Sequence, residues 1–233
     1  MPLTQNGKIA SFDVDAQKGF TPLCPQELPV AGGHEIVGEL NFMASLAQIR
    51  VGSKDAHSRS AQWIPQGGAA PMSLIEGDGE LDIRWPAHCV VGERGYESLD
   101  GLPAEMDYDY FVYKGVSADL HPYGACYHNR KGTPRSTGAI EFLKQNDVAT
   151  VLVGGLATDY CVKETAQQLA GAGFQVILFL PACRGIANDL APALDAMRAS
   201  GVVVAESRSD LQAILAPNSP SQTRKAAPRA QAF

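Results

Sequence analysis

The segment Gly154-Gly155-Leu156-Ala157-Thr158-Asp159-Tyr160-Cys161 runs from an apolar stretch through a glycine turn into residues of helical spacing, which sets a thiol in a first helical turn. A cysteine there is a candidate nucleophile. Unpaired backbone N–H groups and the positive end of the helix dipole stabilise an anion, drawing a thiol from about 8.5 toward neutrality. The same N–H groups could bind an oxyanion. A thiol also needs a base, and Asp15, directly after the first apolar run, is the candidate if burial raises its pKa. Lys114, after another such run, would hold carboxylate and thiolate in their charged forms and offset charge developing in the transition state. Singly, each has a plainer reading: a packed cysteine, a turn-forming aspartate, a solvated lysine. Their joint placement carries the assignment.

A second set offers metal ligands. Asp55-Ala56-His57 places two donors at i and i+2, which point the same way in extended chain. His88, in Trp85-Pro86-Ala87-His88-Cys89, could supply a third donor from a proline-containing loop, leaving positions open for water or substrate. One carboxylate and two imidazoles suit Zn²⁺, Fe²⁺ or Mn²⁺. His34, His121 and His128 read as surface or loop residues. Cys24, Cys89, Cys126 and Cys183 lack the strand-to-helix context of Cys161 and read as structural, although Cys89 adjoins His88.

These residues follow apolar runs at 9–14, 47–52, 110–113, 149–153, 176–180 and 202–205, spaced too widely for hairpins. Helical spacing over 138–144, 162–171 and 190–199 falls between several of them, which predicts parallel strands joined by right-handed crossovers. The expected fold is α/β: a three-layer α/β/α domain with a central, mainly parallel sheet of about six strands. In such sheets ligands collect beyond the carboxyl ends of the strands, and there Asp15, Asp55, His57, Lys114 and Cys161 stand. Residues 58–109 show little periodicity and read as an excursion over the site, within one domain spanning 1–216. Residues 217–233, rich in Pro, Ser, Ala and basic residues, read as a weakly ordered tail.

With 233 residues, 45% of them hydrophobic, the chain suffices for one substantial core. A net charge of -6 gives no field to attract nucleic acid or an anionic membrane, and no apolar run approaches the roughly 20 residues that cross a bilayer. The polar start is no signal segment, so a cytoplasmic protein is expected. Five dispersed cysteines without a CxxC pair argue against a disulfide framework or Cys-rich zinc site.

Together these segments resemble the isochorismatase-like cysteine hydrolases and, among them, the nicotinamidases, also called pyrazinamidases, over roughly residues 9–207. Asp15-Ala16-Gln17-Lys18-Gly19-Phe20 is similar to a D-x-Q-x-x-F opening, Lys54-Asp55-Ala56-His57 to a K-D-x-H metal segment, and Trp85-Pro86-Ala87-His88-Cys89 to a W/H-P-x-H-C segment. Tyr113-Lys114-Gly115 resembles the catalytic-lysine segment, and 155–161 the nucleophile turn. The resemblance implies catalytic Asp15, Lys114 and Cys161, and an oxyanion hole from the N–H groups of Ala157 and Cys161 behind a cis peptide. It further implies a metal, Zn²⁺ above all, on Asp55, His57 and His88, and a substrate ring enclosed by Phe20, Trp85 and Tyr123. The implied reaction is hydrolysis of nicotinamide, and of pyrazinamide, through a Cys161 thioester; homo-oligomers are expected from the same source.

Two departures stand out. Asp13 occupies a strand position that relatives often fill with an apolar residue and is a conceivable competing base, although the spacing to Gln17 and Phe20 selects Asp15. Where some relatives offer a further His or Glu to the metal, this chain has Ser58-Arg59-Ser60-Ala61-Gln62-Trp63, with Ser60 or water as the substitute. Alternatives remain at this point: a metal-independent hydrolase of carbamoyl or ureido amides, or a non-catalytic binding module. A dinucleotide-binding domain is disfavoured because no G-x-G-x-x-G follows a strand.

Overall fold

A computed structural model describes residues 7–77 and 79–216; the expected tail at 217–233 lies outside the described residues. The apolar runs form six strands: β1 (Lys8–Val14), β2 (Ile49–Asp55), β3 (Tyr110–Lys114), β4 (Val148–Leu156), β5 (Gln175–Arg184) and β6 (Val203–Ala205). Their order is β3-β2-β1-β4-β5-β6, and every neighbouring pair is parallel. Crossovers carry α1 (Val37–Ser45), α2 (Ala139–Gln145), α3 (Lys163–Gly171) and α4 (Ala191–Ala199), and α5 (Arg208–Leu215) closes the described chain.

The period of two along the central strands sorts side chains between two cores. Val151 and Val153 of β4 face one layer, with Leu143 of α2, Leu169 of α3 and Met197 of α4. Leu152 faces the other, with Leu40 and Met43 of α1 and Leu211 of α5. Both faces of the sheet are covered, which is why the strands read as continuous apolar runs rather than alternating ones.

The chain winds outward from β1 in one direction to β3 and in the other to β6. The crevice between the ends of β1 and β4 is therefore the topological switch point, where open parallel sheets bind ligands. Close approach of these two strands depends on Gly155, whose φ of 134° and clearance exclude a side chain: an added Cβ would lie 1.9 Å from the Val14 carbonyl oxygen. Residues 58–109 contain two 3₁₀ turns, Arg94–Tyr96 and Glu105–Asp107, and isolated bridges such as His57 to Val90. This segment buries Trp63, Trp85 and His88 at the strand ends. Among the described residues no helix is long and apolar enough to cross a membrane.

Candidate active site

Three strand ends bring one acid, one ammonium and one thiol into contact. Asp15 leaves β1 in the left-handed region at φ 45°, a conformation uncommon for a residue with a Cβ and found disproportionately where function requires it. Its backbone N–H donates to the Ser53 carbonyl at 3.1 Å, and its Oδ1 accepts the Ser53 hydroxyl at 2.7 Å. Lys114, the last residue of β3, is fully buried, and its Nζ lies 3.0 Å from Asp15 Oδ2 and 2.6 Å from Asp55 Oδ1. The same Nζ donates to the Pro122 carbonyl at 3.2 Å and toward Cys161 Sγ at 3.6 Å.

Gln17 locks β1 to β2. Its amide accepts the Asp55 N–H at 2.7 Å and donates to the Asp55 carbonyl at 2.9 Å, so the Asp15 and Asp55 segments share one rigid brace. Asp13 is separate from this cluster. Its Oδ2 accepts the Arg50 guanidinium at 2.7 Å and the Tyr108 hydroxyl at 3.0 Å, which leaves Asp15 as the aspartate facing the thiol.

The turn bearing Cys161 differs from the expected first turn of an α-helix. Thr158–Val162 is a π-helical turn that widens the entry to α3, and the Leu156–Ala157 peptide before it is cis. π-Turns occur mostly within helices at functional sites. The electrostatics also differ from a thiolate at rest: burial pushes the Cys161 thiol well up, against the pull of Lys114. Burial likewise raises Asp15 despite Lys114. Burial disfavours the Lys114 cation, but Asp15 and Asp55 outweigh it and hold the ammonium charged. The resting site thus pairs a neutral thiol with a carboxylate whose proton affinity is increased.

Beside this cluster the side chains of Asp55, His57 and His88 converge. His57 Nδ1 lies 3.1 Å from the Gly115 carbonyl and His88 Nδ1 lies 2.7 Å from the Pro86 carbonyl, so each Nε2 can keep a lone pair. Both Nε2 atoms approach one atom, Asp55 Oδ2, at 3.4 and 4.0 Å. Two ligands each about 2.1 Å from an ion at a tetrahedral angle stand about 3.4 Å apart, so this spacing accommodates a divalent metal. Buried Asp55 Oδ2 and His57 Nε2 have no hydrogen-bond partner among the described residues. Leaving such atoms unpaired costs roughly 1–3 kcal/mol each, which an ion would offset. Burial holds His88 down at about 3, the neutral form a metal requires. Gly115, at φ 70°, leaves room for the imidazole, since a Cβ there would lie 2.4 Å from His57 Cε1.

His121 is a correction to the sequence reading. It is 3% exposed rather than on the surface, and its ring stacks on that of His57 with centroids 5.0 Å apart. His34 is exposed and His128 half-buried. Nothing periodic marks His121; the signal present in the sequence was its place in the loop that follows Lys114, at a strand end. Trp63, fully buried with its ring 4.7 Å from that of His57, was equally unmarked. Cys24, Cys89, Cys126 and Cys183 are buried free thiols.

A narrow recess opens onto Cys161 and Ala157 and is walled by Phe20, Trp85, Tyr123 and Tyr160. Tyr160 packs edge-on against Trp85 at 4.8 Å, and the Trp85 indole N–H donates to the Tyr123 hydroxyl at 3.1 Å. Tyr123 is fixed in turn by Asp82 at 2.7 Å. Aromatic walls, a thiol at the floor and a metal-suited set at the side form a slot for a flat ring carrying a carbonyl group.

An isochorismatase domain model matches residues 84–209. The nicotinamidase of Acinetobacter baylyi is 31% identical over 216 residues, covering 90% of this chain and 97% of that protein. Among solved structures, the nicotinamidase/pyrazinamidase of Acinetobacter baumanii superposes with a TM-score of 0.78 at 31% identity, covering 86% of this chain and 97% of the other. A pyrazinamidase of Pyrococcus horikoshii solved in complex with zinc gives 0.68 at 26% identity, covering 86% and 99%.

Proposed function

Because the chain belongs to the isochorismatase-domain hydrolases, we infer that it is a nicotinamidase, hydrolysing the carboxamide of nicotinamide, and of pyrazinamide, to the acid and ammonia. The observation that carries this reading is the convergence of Cys161, Lys114 and Asp15 on the floor of an aromatic slot, with Asp55, His57 and His88 gathered at its side around the unpaired Asp55 Oδ2.

The chemistry follows from these contacts. Asp15, with its raised proton affinity, takes the Cys161 proton, and Lys114 stabilises the thiolate through its short approach to Sγ. Sγ attacks the amide carbon, and the Ala157 and Cys161 N–H groups receive the oxyanion. Asp15 returns the proton to the amide nitrogen, the C–N bond breaks and ammonia leaves a thioester. Water, deprotonated by Asp15, then cleaves the C–S bond, releasing the acid and restoring the thiol. Phe20, Trp85 and Tyr123 hold the ring so that the carbonyl meets Sγ, and positioning of this kind can contribute several kcal/mol.

Asp55, His57 and His88 would hold a divalent ion, and zinc is the proposed one, supported by the zinc-bound Pyrococcus horikoshii relative. When bound, the ion supplies a Lewis-acid anchor for the ring nitrogen of the substrate. This set is also what disfavours a metal-independent hydrolase of carbamoyl amides. The test is ammonia release from nicotinamide by purified protein, with mass spectrometry of a quenched reaction. Turnover together with a nicotinoyl adduct on Cys161 is expected; turnover retained by Cys161→Ala would overturn the covalent mechanism.

A further inference from the structure

Three imidazoles, not two, converge beside the thiol. One ring nitrogen from each of His57, His88 and His121 lies within 4.8 Å of the other two. His57 and His88 each have Nδ1 beside a backbone carbonyl, whereas neither nitrogen of His121 has a partner among the described residues, although the residue is buried. An imidazole always carries a lone pair or a second N–H to satisfy, so a buried ring with both nitrogens unpaired faces something other than protein. Its surroundings support the same conclusion. The ring is gripped by Trp63 at 4.6 Å, edge-on, and by His57, stacked, so its orientation is set by packing rather than by hydrogen bonds. Its loop is anchored one residue further on, where the Pro122 carbonyl accepts Lys114 Nζ.

We propose that His121 is a further protein ligand of the divalent metal, joining Asp55, His57 and His88 from the loop after β3. The proposal rests on the metal reading given above. It makes the ion's shell three imidazoles and one carboxylate, and it links the ligand set to the catalytic lysine through one short loop, residues 114–122.

X-ray absorption on the zinc-loaded wild-type protein counts the imidazoles directly. Three are expected with one ion per chain. One ion with two imidazoles overturns the proposal while leaving the metal reading intact; no bound ion overturns both. In His121→Ala, checked for fold by circular dichroism without metal, the count should fall to two, and zinc retention against a competing chelator should weaken by about tenfold or more. Unchanged affinity with a raised KM would assign His121 to the substrate ring and sink the proposal. Should the variant fail to fold, the wild-type count decides alone.

Discussion

Asp13 and Asp15 stand two residues apart at the end of one strand, both buried and both raised by that burial, yet they serve different ends. Asp13 remains in regular β1, where its Oδ2 meets a guanidinium and a phenol, a structural contact. Asp15 steps into the left-handed region, which aims its carboxylate across the strand ends at an ammonium shared with Asp55 and a thiol. Residue type and depth are the same. What separates structure from chemistry here is a backbone angle and whether the partner also faces a third, reactive group.

The largest effect that could break this contrast is loss of the proposed nucleophile. Cys161→Ala should reduce nicotinamide turnover by about 10⁴-fold or more with the fold retained. Asp15→Asn should cost about 10²–10⁴-fold in kcat, as expected for a lost general base, while Asp13→Asn should leave kcat within a few-fold. Equal losses in the two variants would dissolve the distinction. The pH profile sharpens it: Asp15 must be unprotonated to act, and its pKa lies above the ordinary 3.8, so kcat/KM should fall as pH drops through that raised value. Asp13→Asn should leave this acid limb in place. In urea unfolding the ranking reverses. Asp13→Asn removes the charge opposite Arg50 and should destabilise by about 1–3 kcal/mol, and Tyr108→Phe, which removes one hydrogen bond, by about 1 kcal/mol.

The sequence made the sheet legible because both faces of each strand are buried, and apolar runs follow directly from that. It misplaced β2, reading 47–52 where the strand is Ile49–Asp55, because the functional end carries Ser53, Lys54 and Asp55. Those polar side chains meet groups distant in sequence, such as Glu105 on Lys54 at 2.6 Å and Lys114 on Asp55 at 2.6 Å, and pattern alone cannot show this. Helix α1 was missed because Glu39, Asn41 and Ser45 are scattered among its apolar residues without forming one polar face. Cys161, Asp15 and Lys114 were visible because each terminates a strand or follows one. The π-turn was not, since hydrophobic spacing does not resolve an i to i+5 bond from an i to i+4 bond. His121 escaped because most of its environment comes from other segments, Trp63, His57, His88 and Trp85.

The sheet order also bears on how the protein is made. β1 precedes the other five strands in the chain, yet it lies in the middle of the sheet, hydrogen-bonded on one side to β2 and on the other to β4, with Lys8 beside Val148. During vectorial synthesis its second edge must wait until β4 has been translated, a long-range closure of the kind that slows folding and leaves an unpaired strand exposed. Because Asp15 sits at the tip of this strand and Cys161 just beyond its late partner, no shorter nascent chain can assemble the reaction centre. Hydrolytic competence should therefore appear in one step, and only after β4 and the turn bearing Cys161 have joined β1.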